Sequence, residues 1–277
     1  MFRVKKVLNH NTVIGIGMED NQAYLLIAKG IGFGRKVSER IEVPEDGTIY
    51  SLQEKTQRGL ALDLVKSIDP VFLEITQQIL KEAERIFGKI DWAILFPMAD
   101  HIAFAVKRIQ NQEQISNPLT GDIRALFHME YKTAECIIPI LKERLQAEID
   151  EHEVGYVALH IHSAIEDENV ALSMQIARTV RECIQLVEAE TGASIDVMSL
   201  SYNRLMNHVR YMAARAIKGE KLKLDMNDYM SVKFPDEFRM ASTVCGHLEK
   251  HLKKPLDPVE IGYLAMHIQR VSAEQEK

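Results

Sequence analysis

Apolar and polar residues alternate through the first 55 positions of the chain. Three alternating runs lie at residues 3–8, 12–16 and 23–27, and a fourth, at residues 40–43, ends before Pro44. Period-two alternation places successive side chains on opposite faces, which is typical of half-buried β-strands. The pattern predicts a small four-stranded antiparallel sheet. Such a sheet buries too little surface to be stable alone, so we expect it to dimerise or to dock on another domain.

From residue 60 onward, the spacing of the apolar residues changes to that of helices. Asp69 followed by Pro70 is typical of a helix start, and Gly88 is typical of a helix end. Helical segments are predicted near residues 69–87, 97–110, 121–130, 131–149 and 152–165. Helices of this length with short connections predict an antiparallel bundle.

The helical part of the chain contains one sequence pattern twice. Residues 153–161 read EVGYVALHI and residues 260–268 read EIGYLAMHI, so six of nine positions are identical at an offset of 107. Further identical residues keep this offset without a gap, among them the pairs His101 and His208, and Arg108 and Arg215. A fixed offset over this length indicates a duplicated domain.

These patterns predict a mainly α-helical protein with a small β domain at its N-terminus. We expect two homologous all-α helical-bundle domains to follow the sheet. The predicted domains are residues 1–56, residues 60–170 and residues 171–277.

Composition narrows the class of protein. Of the 277 residues, 46% are hydrophobic and 27% are charged, which is ordinary for a globular protein with apolar cores. No apolar run approaches the roughly 18 to 20 residues of a membrane helix, so membrane insertion is not expected. The three cysteines are odd in number and lack C-x-x-C spacing, which favours reduced thiols in a cytoplasmic protein.

The basic charge is concentrated near the N-terminus. Residues 1–40 carry seven Lys/Arg and three acids, a net charge of +4, while the whole chain carries −6, so the remainder carries −10. A basic module attached to an acidic body indicates that the module binds a polyanion. Chance clustering of the charges is the alternative interpretation.

Two loops of the basic module have compositions that suit RNA. The turn after the first strand contains amide side chains, and the loop after the third strand combines glycines, an aromatic ring and cations. The candidate RNA-binding residues are Lys6, Asn9, Asn11, Lys29, Gly30, Gly32, Phe33, Arg35 and Lys36. A dinucleotide fingerprint is excluded because Arg35 stands where its third glycine is required. The alternative is that the asparagines only form the turn and that Phe33 lies in the core.

Each repeat contains two histidines, 59 residues apart: His101 and His160 in the first repeat, His208 and His267 in the second. Arg108 and Arg215 follow the first histidine of each pair by seven residues, about two helical turns, and share its face. Three interpretations are open: packing residues, a zinc site with a glutamate, or reversible phosphorylation of imidazole. The absence of H-E-x-x-H and C-x-x-C motifs disfavours zinc. Phosphorylation adds about −1.5 to −2 charges, which an arginine can pair with.

On these residues the chain resembles the BglG/SacY family of bacterial transcriptional antiterminators along essentially its whole length. Residues 6–11, KVLNHN, and 29–33, KGIGF, are similar to the family's co-antiterminator RNA-binding domain. The repeats are similar to its phosphotransferase-system regulation domains, at Asp100-His101, at Asn207-His208 and at the two boxes that end in His160 and His267.

The resemblance implies a function. The N-terminal domain is expected to form a symmetric dimer and to bind an RNA hairpin with internal loops in a nascent leader transcript. Binding prevents the overlapping terminator from forming, so that a sugar-utilisation operon is transcribed. The residues that map onto RNA-contacting positions are Asn9, Asn11, Gly32 and Phe33. The family pattern implies neither an enzyme nor a cofactor.

The resemblance also assigns roles to the histidines. Phosphorylation of the first repeat by a sugar-specific transport component of the phosphotransferase system is expected to inhibit, with His101 the leading site and His160 the second. Phosphorylation of His208 and His267 by the general phosphocarrier protein is expected to favour the active dimer. The residues expected to support the phosphohistidines are Asp100, Arg108 and Arg215.

The chain departs from the family pattern at one edge of the glycine loop. Lys29 stands where several relatives carry arginine, and Ala28 where some carry glycine, which bears on RNA preference. Two other functions are weighed. A DNA-binding activator with the same regulatory domains needs a helix-turn-helix in place of the alternating segment, and a metal-dependent hydrolase needs catalytic motifs that the sequence lacks.

Overall fold

This computed structural model describes residues 1–53, 55–56, 59–113, 115–166, 169–192, 195 and 199–275. The chain divides into two compact units. Unit 1 comprises Met1–Asn117 and Phe127–Val170, and unit 2 comprises Pro118–Leu126 and Ala171–Lys277. Unit 1 therefore contains the N-terminal sheet and most of the first repeat, and unit 2 contains the second repeat.

The N-terminal sheet of unit 1 contains five antiparallel strands among the described residues, in the order β4-β1-β2-β3-β5. The strands are β1 (Phe2–Val7), β2 (Thr12–Gly17), β3 (Ala23–Ile27), β4 (Arg40–Ile41) and β5 (Thr48–Ser51). The predicted count of four strands is wrong by one. The four residues of β5 follow Gly47 too closely to show an alternation of their own, and their pairing with β3 makes them a strand.

One buried apolar cluster holds the sheet together. Its residues come from the strands and from the loop after β3: Val4, Val13, Leu26, Ala28, Ile31 and Ile41. Alternation explains this set, because the intervening side chains of each strand point to the other face. Ile31 anchors the glycine-rich loop to the core, so the loop keeps a fixed position relative to the strands.

A DNA-binding activator would need a helix-turn-helix before the repeats. Residues 1–53, all of which the structure describes, contain strands and turns and no helix. A two-stranded ribbon follows, formed by β6 (Lys55–Thr56) and β7 (Gly59–Leu60).

The first repeat is helical. Its elements are α1 (Ala61–Ser67), α2 (Pro70–Phe87), a 3₁₀ turn at Trp92–Ile94, α3 (Leu95–Gln110), α4 (Thr120–Leu126), α5 (His128–Ala134), α6 (Ile137–Leu145) and α7 (Glu151–Glu166). Of these, α4 belongs to unit 2. The predicted ends of α2 are confirmed, since the Asp69 side chain accepts a hydrogen bond from the Val71 amide at 3.0 Å and Gly88 ends the helix with φ 84°.

The predicted helix at residues 121–130 is wrong, because Phe127 interrupts it. Phe127 has a non-helical backbone, φ −118° and ψ 47°, and its ring is 1% exposed. The free energy gained by burying this ring therefore offsets the cost of breaking the helix between α4 and α5.

Unit 2 repeats the helical pattern. Its helices after α4 are α8 (Val170–Thr191), α9 (Leu200–Lys218), α10 (Asn227–Lys233), α11 (Pro235–Leu252) and α12 (Glu260–Gln275). Ser199 caps α9 by accepting a hydrogen bond from the Tyr202 amide at 3.0 Å. Among the described helices of both units, none is long and apolar enough to cross a membrane. In each repeat the two histidine-bearing helices, α3 with α7 and α9 with α12, pack against each other.

Candidate nucleic-acid interface and histidine sites

The turn between β1 and β2 and the loop after β3 are joined by hydrogen bonds. The Asn11 amide N–H donates to Asn9 Oδ1 at 2.8 Å, and the Gly30 amide donates to Asn11 Oδ1 at 2.8 Å. The Gly32 amide donates to the His10 carbonyl at 2.9 Å. We call residues 9–11 and 29–36 the paired loops, because these bonds fix them side by side.

The glycines of the paired loops are required by geometry. A Cβ atom on Gly32 would lie 2.2 Å from the Asn9 carbonyl oxygen, which is far inside van der Waals contact. Gly30 and Gly34 have φ angles of 72° and 67°, in the left-handed region that favours glycine. Gly32 therefore allows the backbone of its loop to lie directly against the asparagine turn.

Phe33 projects from the paired loops into solvent. Its ring is 69% exposed and packs edge-to-face against His10, with ring centroids 5.3 Å apart. The alternative that Phe33 lies in the core is thus excluded. An aromatic ring fixed by a neighbour and open on one face is suited to stack on an unpaired base.

Three of the predicted cations lie in the paired loops, and the fourth, Lys6, lies on β1. Lys6, Lys29, Arg35 and Lys36 are all exposed. Arg35 is held by Glu39, with Nη1 and Oε1 2.5 Å apart, and the Lys36 amide donates to the same carboxylate at 3.0 Å. These hydrogen bonds lower the pKa of Glu39. The bond from the Lys36 amide has the larger effect, and the bond from Arg35 has the second largest.

A residue of the helical repeat that was not predicted from the sequence contacts the paired loops. Glu74 of α2 is 8% exposed and accepts hydrogen bonds from Asn9 Nδ2 at 2.6 Å and from Asn11 Nδ2 at 3.3 Å. A single acid among the buried apolar positions of α2 is the signal that was available, but its partners lie more than 60 residues away in sequence.

In the first repeat, the structure brings the predicted histidines together. The rings of His101, on α3, and His160, on α7, lie 5.2 Å apart between centroids, and Tyr156 lies 5.3 Å from His101. His160 Nδ1 is 2.8 Å from the Tyr156 carbonyl oxygen, so in the neutral ring Nδ1 carries the proton and Nε2 carries the lone pair. His162 points elsewhere and contacts Glu130 at 2.9 Å.

A buried glutamate joins His101 to Arg108. Glu153 Oε2 lies 3.1 Å from His101 Nε2, and Glu153 Oε1 accepts from Arg108 Nη2 at 2.5 Å and from Nε at 3.1 Å. Burial raises the pKa of Glu153, but His101 and Arg108 outweigh it and bring that pKa below its ordinary value. Arg108 therefore reaches the histidine through a carboxylate and not directly.

Asp100 lies next to His101 in α3 and is 8% exposed. It lines a cleft of about 660 Å³ together with Phe104 and Lys107. Phe104 is half exposed, so an apolar ring is accessible one helical turn from His101.

The second repeat has the same arrangement, and the His208 side chain is more buried than that of His101. The rings of His208, on α9, and His267, on α12, are stacked with centroids 4.8 Å apart. Glu260 binds Arg215 with both oxygens, at 2.7 and 2.9 Å, and lies 3.7 Å from His208 Nε2. Gly262 of α12 permits the close approach of α10, since a Cβ there would lie 2.7 Å from the Asn227 side chain.

Burial keeps the second pair of histidines neutral. It lowers the pKa of His208 to about 3, with smaller effects from His267 and Arg215. It also lowers the pKa of His267 to about 4, with smaller effects from Arg270 and Arg204. Both imidazoles are therefore uncharged near neutral pH, the state in which a ring nitrogen is a nucleophile.

A metal site needs several ligands at one point. Among the described residues, no group of three or more histidine, cysteine, aspartate and glutamate side chains is placed to hold a metal ion.

Comparison with known families decides the class of the protein. Residues 2–59 match the CAT RNA binding domain, and residues 73–164 and 181–271 each match the PRD domain. The chain belongs to the BglG/SacY family of antiterminators. Members of this family combine an RNA-binding domain with domains regulated by the phosphotransferase system, so this chain is an RNA-binding antiterminator of sugar operons.

Several full-length relatives within the family are similar to this chain. Protein GlcT of Staphylococcus haemolyticus is 29% identical over 96% of this chain and 95% of its own length. The glcA/glcB genes antiterminator of Staphylococcus carnosus is 28% identical over 99% and 97%, and the beta-glucoside operon antiterminator of Dickeya chrysanthemi is 23% identical over 99% and 98%.

A solved structure is similar to part of this chain. The crystal structure of GlcT CAT-PRDI superposes with a TM-score of 0.52 at 31% identity, covering 60% of this chain and 98% of that chain.

Proposed function

We propose that residues 1–56 bind a hairpin with internal loops in a leader transcript, and that residues 60–170 and 171–277 control this binding. The observation that carries the proposal is the exposed Phe33 ring on a loop that is hydrogen-bonded to the asparagine turn. Stacking on an aromatic ring and hydrogen bonds to amides are the usual contacts of proteins with unpaired RNA bases.

The charges of the paired loops support the same target. Lys29 and Lys36 are exposed beside Phe33, and Lys6 is exposed on β1. Each lysine that neutralises a phosphate releases counterions, so binding is expected to weaken as salt rises. Antitermination follows if the bound hairpin shares bases with the terminator, because the two structures then exclude each other.

The active species is proposed to be a homodimer in the cytoplasm, where the nascent transcript is made. The sheet has five short strands among the described residues and one small apolar cluster, which is little buried surface for a stable unit. A second copy of the sheet would add buried area and bring two sets of paired loops to one hairpin.

In the first repeat, His101 is the proposed inhibitory phosphorylation site and His160 the second site, with a sugar-specific transport component as the donor. A phosphoryl group on His101 Nε2 would face Glu153 Oε2, now 3.1 Å from that nitrogen. Two like charges 4 Å apart repel by about 4 kcal/mol at an effective dielectric constant of 20. The carboxylate would therefore move, and Arg108 would be free to pair with the phosphate.

In the second repeat, His208 and His267 are the proposed acceptors from the general phosphocarrier protein. Both are neutral by burial, and Arg215 is placed beside them on Glu260. A phosphorylated His208 would be a buried dianion, which is tolerated only with a cation partner, so Arg215 is expected to transfer from Glu260 to the phosphate. We propose that this rearrangement favours the active dimer.

The RNA-binding proposal is tested on the full chain with a labelled hairpin from the leader of its own operon. Fluorescence anisotropy at two salt concentrations should give salt-dependent binding that Phe33→Ala weakens about tenfold. Met18→Ala, at an exposed apolar residue in the turn after β2, serves as the matched control. Equal affinity of both variants and the wild type would overturn the assignment of the paired loops.

A further inference from the structure

Glu74 is the centre of a polar cluster between the sheet and the first repeat, both in unit 1. Its Oε1 accepts from Asn9 Nδ2 at 2.6 Å and lies 3.5 Å from the Thr12 hydroxyl. Its Oε2 accepts from Asn11 Nδ2 at 3.3 Å and from Arg144 Nη2 at 2.7 Å. The carboxylate thus holds both asparagines of the paired loops, while Arg144 of α6 holds the carboxylate.

Glu74 binds the side-chain NH₂ groups of both asparagines, which are the donors that these side chains could offer to RNA. Asn9 Oδ1 already accepts from the Asn11 amide, and Asn11 Oδ1 accepts from the Gly30 amide. Each side-chain NH₂ group donates one of its two hydrogens to Glu74. A phosphate oxygen that approaches the second hydrogen meets the charge of the carboxylate, and a base acceptor or phosphate oxygen must displace Glu74 to bond the first.

Charge adds to this competition. A cleft of about 350 Å³ beside the contact is lined by both signs of charge: Lys29, Lys81 and Arg144, and Asp46 and Glu74. With Glu74 in place, an incoming phosphate meets a carboxylate at the asparagines. Without the Glu74 charge, the three cations would outnumber the remaining acid and would attract the phosphate.

Other bonds hold the sheet on α2 independently of Glu74. Gln77 Nε2 donates to the Thr48 hydroxyl at 2.7 Å, and Lys81 Nζ donates to the Asp46 carbonyl at 3.1 Å. Neutralising Glu74 should therefore release the asparagine side chains without separating the sheet from the helix.

We propose that Glu74 is an autoinhibitory latch that occupies the RNA-binding amides of Asn9 and Asn11, and that RNA must displace it to bind. This inference rests on the proposed RNA-binding role of the paired loops. α2 also packs against α3, the helix of His101, so the latch lies one helix away from the proposed inhibitory phosphorylation site.

The test compares RNA affinities of full-length variants for the same leader hairpin by anisotropy. Glu74→Gln removes the charge at constant shape and should lower Kd about tenfold, as expected when hydrogen bonds to a charged group are given up. Glu82→Gln removes an equal charge from a half-buried position of α2, where Glu82 pairs with Arg85, and is the matched control. It should change Kd less than twofold.

A second variant covers the case in which Glu74→Gln perturbs folding. Arg144→Gln removes the anchor of the carboxylate and should also lower Kd, although it deletes a cation that would otherwise attract RNA. If Glu74→Gln binds no more tightly than Glu82→Gln, or if Arg144→Gln binds no more tightly than Lys81→Gln, which removes another cation from the same cleft, the latch is overturned.

Asn11→Ala separates failure of the latch from failure of the RNA-binding role. If Asn11→Ala weakens binding and Glu74→Gln equals the wild type, the paired loops bind RNA and the latch is wrong. If no variant binds the hairpin, or if Asn11→Ala binds as well as the wild type, the role of the asparagines fails and the latch fails with it.

Discussion

Arg215 donates to both carboxylate oxygens of Glu260, at 2.7 and 2.9 Å, and joins α9 to α12 in the second repeat. Arg108 and Glu153 form the equivalent pair between α3 and α7, 107 residues earlier. In both repeats the glutamate is at most 3% exposed, and it lies between the arginine and the first histidine of the pair. The arginine that could stabilise a phosphohistidine is thus bound to a carboxylate.

The buried pair of Arg215 and Glu260 should contribute strongly to the free energy of unfolding. Arg215→Met leaves Glu260 buried without its cation, and removal of one partner of a buried ion pair costs about 3 kcal/mol. Urea unfolding of the full chain measures the change. Arg239→Met breaks an exposed pair with Asp236 and should leave the midpoint unchanged. Equal urea midpoints for the two variants would show that the buried pair stabilises the fold no more than the exposed pair does.

The neutral state of His208 predicts a loss of stability in acid. The pKa of His208 is lowered from 6.5 to about 3 in the folded chain, so the unfolded state binds the proton more tightly. Stability is complete above pH 6.5 and falls as pH drops from 6.5 toward 3, by about 2 kcal/mol between pH 7 and pH 5.

His208→Gln should remove this part of the pH dependence, as measured by urea unfolding at pH 7 and pH 5. Asn207→Ala, on the same helix, should keep it. If His208→Gln and Asn207→Ala lose equal stability on acidification, His208 is not held neutral by the fold.

Charge at His101 should switch activity. His101→Asp places a permanent carboxylate near Glu153, whereas His101→Ala cannot be phosphorylated. We expect His101→Asp to reduce read-through of a terminator reporter and His101→Ala to make read-through constitutive. His128→Asp introduces the same charge at an exposed histidine of the first repeat and should behave as the wild type. Equal activity of His101→Asp and His101→Ala would remove His101 from the switch.

Gly32 should tolerate no side chain. Because a Cβ at this position would lie 2.2 Å from the Asn9 carbonyl oxygen, Gly32→Ala must push the paired loops apart. The affinity for the leader hairpin should fall at least tenfold, as measured by anisotropy. Gly121→Ala, where a Cβ meets nothing within 4 Å, is the control and should bind as the wild type. Unchanged affinity of Gly32→Ala would mean that the spacing of the loops is not needed for RNA.

The sequence predicted the features that depend on local pattern. Alternation located β1, β2 and β3, the Asp69 and Gly88 signals located α2, and the offset of 107 located the paired histidines. The fifth strand was missed because its pairing with β3, and not its own four residues, makes it a strand.

The contacts that organise the sites were outside the reach of sequence analysis. Arg108 and Glu153 are 45 residues apart, and Asn9 and Glu74 are 65 apart. Seven-residue spacing placed Arg108 and His101 on one face of α3, but it did not show that the guanidinium binds Glu153. Such pairings depend on how helices pack, which the spacing within one helix does not specify.

Transcription read-through in vitro tests the central claim most directly. The template carries the leader of the chain's own operon with its terminator, and purified RNA polymerase transcribes it with increasing amounts of the full-length protein. The account predicts that the read-through fraction rises with the wild type, and that it stays at the basal level with Asn11→Ala or with a template whose hairpin loops are altered. Read-through that does not respond to the wild type, or that rises equally with Asn11→Ala, would contradict the account.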